Sequence, residues 1–342
     1  MPTALVTGGS GYFGSILVAR LDAAGFAVRN FDLAAPDGHP PDAAFVQGDI
    51  RDAAAVRQAC EGVDVVFHNV AQQPLAKDKA LFETVNVNGT RNLLDASSAA
   101  RVGKFVHTSS TSVFGIPPSN PVTEETPLRP VEAYGRTKVR AEQLCHEAAA
   151  AGLDVTIIRP RTILGHGRLG LLAMLFEWVA DGAPVYVLGG GHNRYSFVHA
   201  GDLAEACLRA GRREGPSTYN IGTDQFGTMR ETMEALVAHA GTGSRVRSLP
   251  VRPAMFAMSA LGRMRLAPFA PYHWMLYGQE FWFDISKARS ELDWAPEYSN
   301  VEMMNESYDW FLAHRGQLEH GGRSHHQSPV RQGAMRVLKR IR

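Results

Sequence analysis

Cysteine is scarce in this chain of 342 residues, with only Cys60, Cys145 and Cys207, far apart in sequence. No CxxC pair occurs and no histidine stands at zinc-finger spacing, so neither a disulfide framework nor a structural metal is expected, and a reducing cytosol fits best. Long hydrophobic runs are also missing, since no stretch reaches the ~18 apolar residues of a membrane span. No basic segment precedes the strand-like Thr3-Ala4-Leu5-Val6-Thr7. The expectation is a cytoplasmic protein, neither secreted nor membrane-spanning. Charge of one sign is lacking too: 35 Lys plus Arg face 34 Asp plus Glu. Six of those cations, Arg323, Arg331, Arg336, Lys339, Arg340 and Arg342, crowd into residues 320–342, which hold no acid; without them 29 cations face 34 acids, a net of −5. A body of that sign repels nucleic-acid phosphate, which excludes nucleic acid as a partner and leaves the tail to meet any anionic surface.

What the chain does have is enough apolar residue, 45%, to fill a substantial core. In the first half, short apolar runs bounded by turn residues alternate with longer amphipathic segments, as βαβ units require. Strands are predicted near 3–7, 27–32, 44–47, 63–67, 103–108 and 154–158, with helices over 13–24, 52–60, 80–100 and 132–151. The fold class that follows is α/β, a Rossmann-type doubly wound parallel sheet with right-handed crossovers and a smaller C-terminal substrate domain. Residues 1–165 form the expected dinucleotide-binding domain, which also receives segments near 195–222. Residues 166–315 form mainly the substrate-binding region. Within it, residues 250–282 are rich in Pro, Met and aromatics without clean periodicity, a composition that fills a core or lines an apolar pocket; core is the favoured reading. Residues 316–342 read as a flexible linker and a basic amphipathic tail, and there is no internal repeat.

The first motif that carries chemistry is Thr7-Gly8-Gly9-Ser10-Gly11-Tyr12-Phe13-Gly14. Glycines at 8, 11 and 14 follow a strand and open a helix, where a pyrophosphate needs bare backbone N–H groups. Asp32 ends the second predicted strand about twenty residues on, where a carboxylate accepts from both adenosine ribose hydroxyls and repels a 2′-phosphate. The cofactor expected is therefore NAD rather than NADP.

The second is Tyr134-Gly135-Arg136-Thr137-Lys138. On a helix, residues four apart share a face. A phenol with a pKa of about 10 is a poor base at neutral pH, and a nearby ammonium lowers that value, so the pair is a candidate acid/base unit. A surface Tyr beside a solvated Lys is the bland alternative. Against it stands Thr108-Ser109-Ser110-Thr111-Ser112, at the end of a predicted strand, where a hydroxyl can hydrogen-bond the reacting oxygen.

Together these residues resemble the extended short-chain dehydrogenase/reductase family, the NAD-dependent epimerase/dehydratase and 3β-hydroxysteroid dehydrogenase group. The resemblance covers roughly residues 3–312. It runs through Gly48-Asp49-Ile50, Phe67 to Ala71, Asn86 to Thr90, Arg159-Pro160, Phe197 to Asp202, Tyr219 to Gly222 and Ser286 to Pro296. It implies an NAD-dependent oxidoreductase. The cofactor-binding residues implied are Gly8, Gly11, Tyr12, Phe13, Gly14, Asp32, Asp49 and Ile50 at the adenosine and diphosphate, with Val70, Ala71, Tyr134, Lys138 and Pro160 nearer the nicotinamide. Ser110, in preference to Ser109, would orient the substrate oxygen, Tyr134 would exchange its proton, and Lys138 would lower the phenol's pKa. Asn86 is open between supporting a proton relay and capping a helix. A homodimer through helices flanking the active site is a further implication.

The substrate is expected to be an apolar or sterol-like secondary alcohol or ketone, as in the 3β-hydroxysteroid dehydrogenase branch. A nucleotide-sugar epimerase or dehydratase with tightly held NAD is the alternative, and a non-catalytic NAD-binding scaffold the third. The epimerases commonly carry an Asn just after the ArgPro-like strand. Here the stretch is Arg159-Pro160-Arg161-Thr162-Ile163-Leu164-Gly165, without one, although Arg161, Arg168 or Arg194 could serve a phosphate. In the tail, Val330, Ala334, Val337, Leu338 and Ile341 form an apolar stripe flanked by Arg and Lys. Such a helix could lie on the inner face of an anionic membrane, or dock on protein, or stay solvated. His320, His325 and His326 read as part of a linker rather than a metal site.

Overall fold

The structure is a computed structural model that describes residues 1–35, 43–72, 80–264 and 277–318. The tail's apolar stripe and its three histidines lie outside the described residues.

A parallel sheet of seven strands organises the chain, in the order β10-β6-β5-β4-β1-β2-β3. Its strands are β1 Thr3–Thr7, β2 Ala27–Asp32, β3 Ala44–Gln47, β4 Val65–His68, β5 Lys104–Thr108, β6 Val155–Pro160 and β10 Ser217–Ile221. β4 and β6 are buried at every position, as befits strands covered on both faces, and hence lack the alternation of a half-wet sheet. The helices α1 Tyr12–Ala23, α2 Ala53–Cys60, α4 Thr90–Ala99 and α5 Ala133–Ala150 make the crossovers, and α3 is the single turn Ala80–Glu83. Asp52 caps α2, its carboxylate accepting from the Ala54 and Ala55 amides, which meets donors the first turn cannot pair internally. α7 Ala200–Arg212 returns across the sheet to pack beside α1.

The expected helix over 80–100 is interrupted. Residues Thr84–Gly89 form a π-helical turn between α3 and α4, a feature frequent at functional sites.

The remaining elements build a second layer beyond the strands' C-terminal ends. They are the two-residue pair β7 Ile163–Leu164 and β9 Val198–His199, the pair β8 Val185–Leu188 and β11 Val246–Leu249, and helices α6 Leu171–Ala180, α8 Met229–Ala240, α9 Val251–Arg263, α10 Ser286–Leu292 and α11 Asn300–His314. Capping boxes start α8 (Thr228 with Glu231) and α11 (Ser299 with Glu302), each satisfying two helix-end donors reciprocally. One apolar cluster runs without a break from Val6 and Phe67 on the sheet to Phe176, Met233 and Phe311 in this layer.

Candidate active site

β1 and β4 are neighbours, yet the chain leaves them toward opposite edges of the sheet. That switch point opens a crevice at the strands' C-terminal ends, the place where α/β sheets bind ligands. A cavity of about 1300 Å³ occupies it. Gly8 turns the chain out of β1 at φ +73°, and a Cβ on Gly14 would stand 2.0 Å from the Gly8 carbonyl oxygen. The turn thus lies directly on the first turn of α1, which only glycine allows. Gly11 caps α1 without a side-chain hydrogen bond, and no acid sits in the first turn, so the helix's leading N–H groups are open to a diphosphate. Asp32 reaches back to this turn, accepting from the Ser10 amide at 3.0 Å and the Leu33 amide at 2.7 Å. The Arg51 guanidinium forks onto Asp49 and, mainly through that hydrogen bond, holds its carboxyl below the ordinary value.

The catalytic candidates converge from two elements. Glu132 caps α5 by accepting from the amides of Tyr134 and Gly135 at 3.2 and 3.0 Å. A Cβ at Gly135 would stand 2.6 Å from the Ser112 carbonyl oxygen, so the helix start rests on the turn Thr111–Val113 that follows the serines. One helical turn on, the Lys138 ammonium donates to the Thr108 carbonyl at 2.7 Å. Burial pushes Lys138 down to about 8, against the opposing pull of Glu142. The Ser109 hydroxyl donates to Glu142 at 2.5 Å, and Glu142 also takes the fork of Arg159, Nε at 3.0 Å and Nη2 at 2.7 Å. Ser110 accepts from the Ser112 amide at 3.2 Å and lines the cavity, which leaves its hydroxyl hydrogen to be given to a substrate oxygen. Ser109 is thereby committed to the scaffold. Below them His68 links Thr7 and Thr90 at 2.8 and 2.9 Å; burial drives it down to about 3 and keeps it neutral.

Asn86 lies inside the π-helical turn rather than at a helix cap. Its amide accepts from the Gln72 amide, and donates to the Gln72 carbonyl and to the Thr137 hydroxyl, stitching the segment after β4 to α5. The π-helical turn is what aims it there.

Beyond the serines the wall becomes hydrocarbon. Leu172, Leu175 and Trp178 of α6, Met229 and Met233 of α8, and Pro253, Ala257 and Leu261 of α9 line it. No residue of α9 with a described side chain is fully buried. Residues 250–261 therefore wall a pocket, which corrects the core reading for that stretch; Phe281, near the end of the same segment, is core. Arg161 and Arg168 are the cations on this side of the cavity.

The model of the NAD-dependent epimerase/dehydratase family matches residues 4–222. The chain belongs to that family. It is 31% identical to a UDP-glucose 4-epimerase of Mycolicibacterium smegmatis, over 90% of this chain and 97% of that one. It is 29% identical to the 4-hydroxy-2-methyl-3-oxo-4-farnesyl-3,4-dihydroquinoline-1-oxide ketoreductase of Stigmatella aurantiaca, over 92% and 98%. Among solved structures, a UDP-glucose 4-epimerase of Stenotrophomonas maltophila with bound NAD and formylated UDP-arabinopyranose superposes with a TM-score of 0.77 at 25% identity, covering 93% of this chain and 100% of that one.

This epimerase/dehydratase-family enzyme uses NAD, and its residues fit the cofactor. All the positions expected to touch it, Gly8, Gly11, Tyr12, Phe13, Gly14, Asp32, Asp49, Ile50, Val70, Ala71, Tyr134, Lys138 and Pro160, line this cavity. The glycine cradle, the open helix start and the carboxylates of Asp32 and Asp49 would supply the donors and acceptors that a dinucleotide requires. The ion pair Glu142–Arg159, the cap Glu132 and the contacts of Asn86 with Gln72 and Thr137 escape sequence reading. For Glu142 a signal existed, since it stands one turn after Lys138 on the same helix face.

Proposed function

We propose that the enzyme transfers hydride between NAD and a secondary alcohol or its ketone borne on an apolar, sterol-like body, in the manner of a 3β-hydroxysteroid dehydrogenase. The observation that carries this reading is the hydrocarbon lining from α6, α8 and α9, set against the Ser110, Tyr134 and Lys138 group in one continuous cavity. A pocket lined by Leu, Met, Trp and Pro rewards an apolar ligand by about 25 cal/mol per Å² buried, and offers few partners to a sugar's hydroxyls.

NAD, when bound, supplies the hydride acceptor or donor. The chain's own residues do the rest. Ser110 donates to the substrate oxygen and fixes its position. Tyr134 takes the hydroxyl proton in oxidation, or returns it in reduction. The Lys138 ammonium, held by the Thr108 carbonyl, stabilises the phenolate that takes the proton in oxidation and that reduction leaves behind. The ketoreductase relative, whose named substrate carries a farnesyl chain, supports an apolar ketone.

The second reading, epimerisation or dehydration of a nucleotide sugar, is favoured by the epimerase relatives and by two cationic side chains in the wall, Arg161 and Arg168. Absorbance at 340 nm with added NADH separates them. Loss of NADH with an apolar cyclic ketone such as 2-decalone, and none with UDP-glucose, is the expected result. Conversion of UDP-glucose with no net change in NADH would overturn the apolar reading.

A further inference from the structure

Arg161 directly follows Pro160, the end of β6, and is the largest of the fully buried side chains, 1% exposed. Its Nε donates to the Ser196 carbonyl at 3.0 Å. Its guanidinium carbon lies 4.0 Å from the ring centre of Phe281 and 4.4 Å from that of Tyr195. Those ring faces offset part of the cost of burying the charge, but they cannot accept from its N–H edge. Nη1 and Nη2 are both buried, and no atom among the described residues accepts from either. Two positions earlier, Arg159 shows the usual solution, a buried fork filled by a carboxylate. Buried charges are paired almost without exception, because an unpaired one is strongly destabilising. Arg161 borders the same cavity as Tyr134 and Lys138.

We propose that Arg161 is the anchor for an acid group on the substrate, and that the substrate is an amphiphile whose carboxylate is held by Nη1 and Nη2 while its hydrocarbon body fills the side walled by α6, α8 and α9. The inference rests on the apolar reading above. A rigid two-pronged donor matches the two oxygens of a carboxylate, and the aromatic faces on either side fix the plane in which it binds. A neutral analogue would leave the guanidinium buried without an acceptor, so the site discriminates against it.

The test is calorimetric titration of the full-chain enzyme, saturated with NAD, with octanoate, octanamide and UDP as probes. The expected result is octanoate at least about tenfold tighter than octanamide, with that preference lost in Arg161→Met while thermal unfolding stays cooperative. Arg161→Gln, which keeps a donor for the Ser196 carbonyl, is the second variant and should lose the preference as well. Equal binding of octanoate and octanamide to the unaltered enzyme, or a preference retained by either folded variant, overturns the proposal and leaves the apolar reading standing. Binding of UDP with neither eight-carbon probe bound overturns both.

Discussion

Glu142 and Arg159 form a two-pronged ion pair inside the joint between α5 and the sheet, with side chains 1% and 5% exposed. The pair, completed by the Ser109 hydroxyl, ties the helix that carries Tyr134 and Lys138 to the strand end that carries Pro160. Tyr134, Lys138 and the end of β6 are thus held in one register.

Removing one partner leaves a buried charge alone, so Glu142→Ala should lower unfolding free energy by about 3–5 kcal/mol. Urea denaturation measures it. Replacing both, as in Glu142→Leu with Arg159→Met, should recover most of that loss while activity stays low. A loss below about 1 kcal/mol in the single variant would mean that the joint does not depend on the pair.

Lys138 gives a pH signature. Its folded value of about 8 lies below the ordinary 10.5, so between those values the folded chain binds fewer protons than the unfolded chain, and the stability contributed rises with pH. The penalty for the buried ammonium is therefore full below pH 8. Lys138→Met should stabilise the protein at pH 7 by about 1–3 kcal/mol, with the advantage fading toward pH 10. Because only the charged form stabilises a phenolate, turnover of the unaltered enzyme should fall above pH 8. Chemical denaturation across pH 7–10 and a pH–rate profile check the two statements.

Gly14→Ala drives a methyl group into the Gly8 carbonyl. A cost of about 1–3 kcal/mol is expected from overpacking, together with loss of NAD binding as the turn moves away from α1. Fluorescence titration with NAD would show it, and unchanged affinity would contradict the cradle assigned to this turn.

Asp32 holds the Ser10 amide and lines the cavity, where it would face the adenosine of a bound dinucleotide. Asp32→Ala should weaken NAD by about 10–100-fold, the range for a charged hydrogen bond, and narrow the preference over NADP, since the carboxylate that repels a 2′-phosphate is gone. An unchanged NAD to NADP affinity ratio would contradict that role.

The strand ends β1, β2 and β3 coincide with the predicted spans because each apolar run is stopped by a local signal, Gly8, Asp32 or Gly48, that acts through backbone geometry. The glycine turn and Tyr134 with Lys138 were legible for the same reason: their chemistry is fixed by spacing within one element. Asn86 was not, because its role depends on Gln72 and Thr137, distant in sequence, and on a π-helical turn that no apolar period reveals. Ser109 and Ser110 are chemically alike in sequence and part only through Glu142. Residues 250–261 resemble core because a pocket wall and a core draw on the same amino acids, and only the surrounding layers decide which face stays open.

The central claim, that Tyr134 exchanges the proton of an apolar alcohol or ketone while NAD takes or gives the hydride, is tested most directly by absorbance at 340 nm with NADH and 2-decalone, comparing the unaltered enzyme with Tyr134→Phe. A turnover loss of about 10²–10⁴-fold with NADH binding preserved is expected. Full activity in Tyr134→Phe would contradict the account.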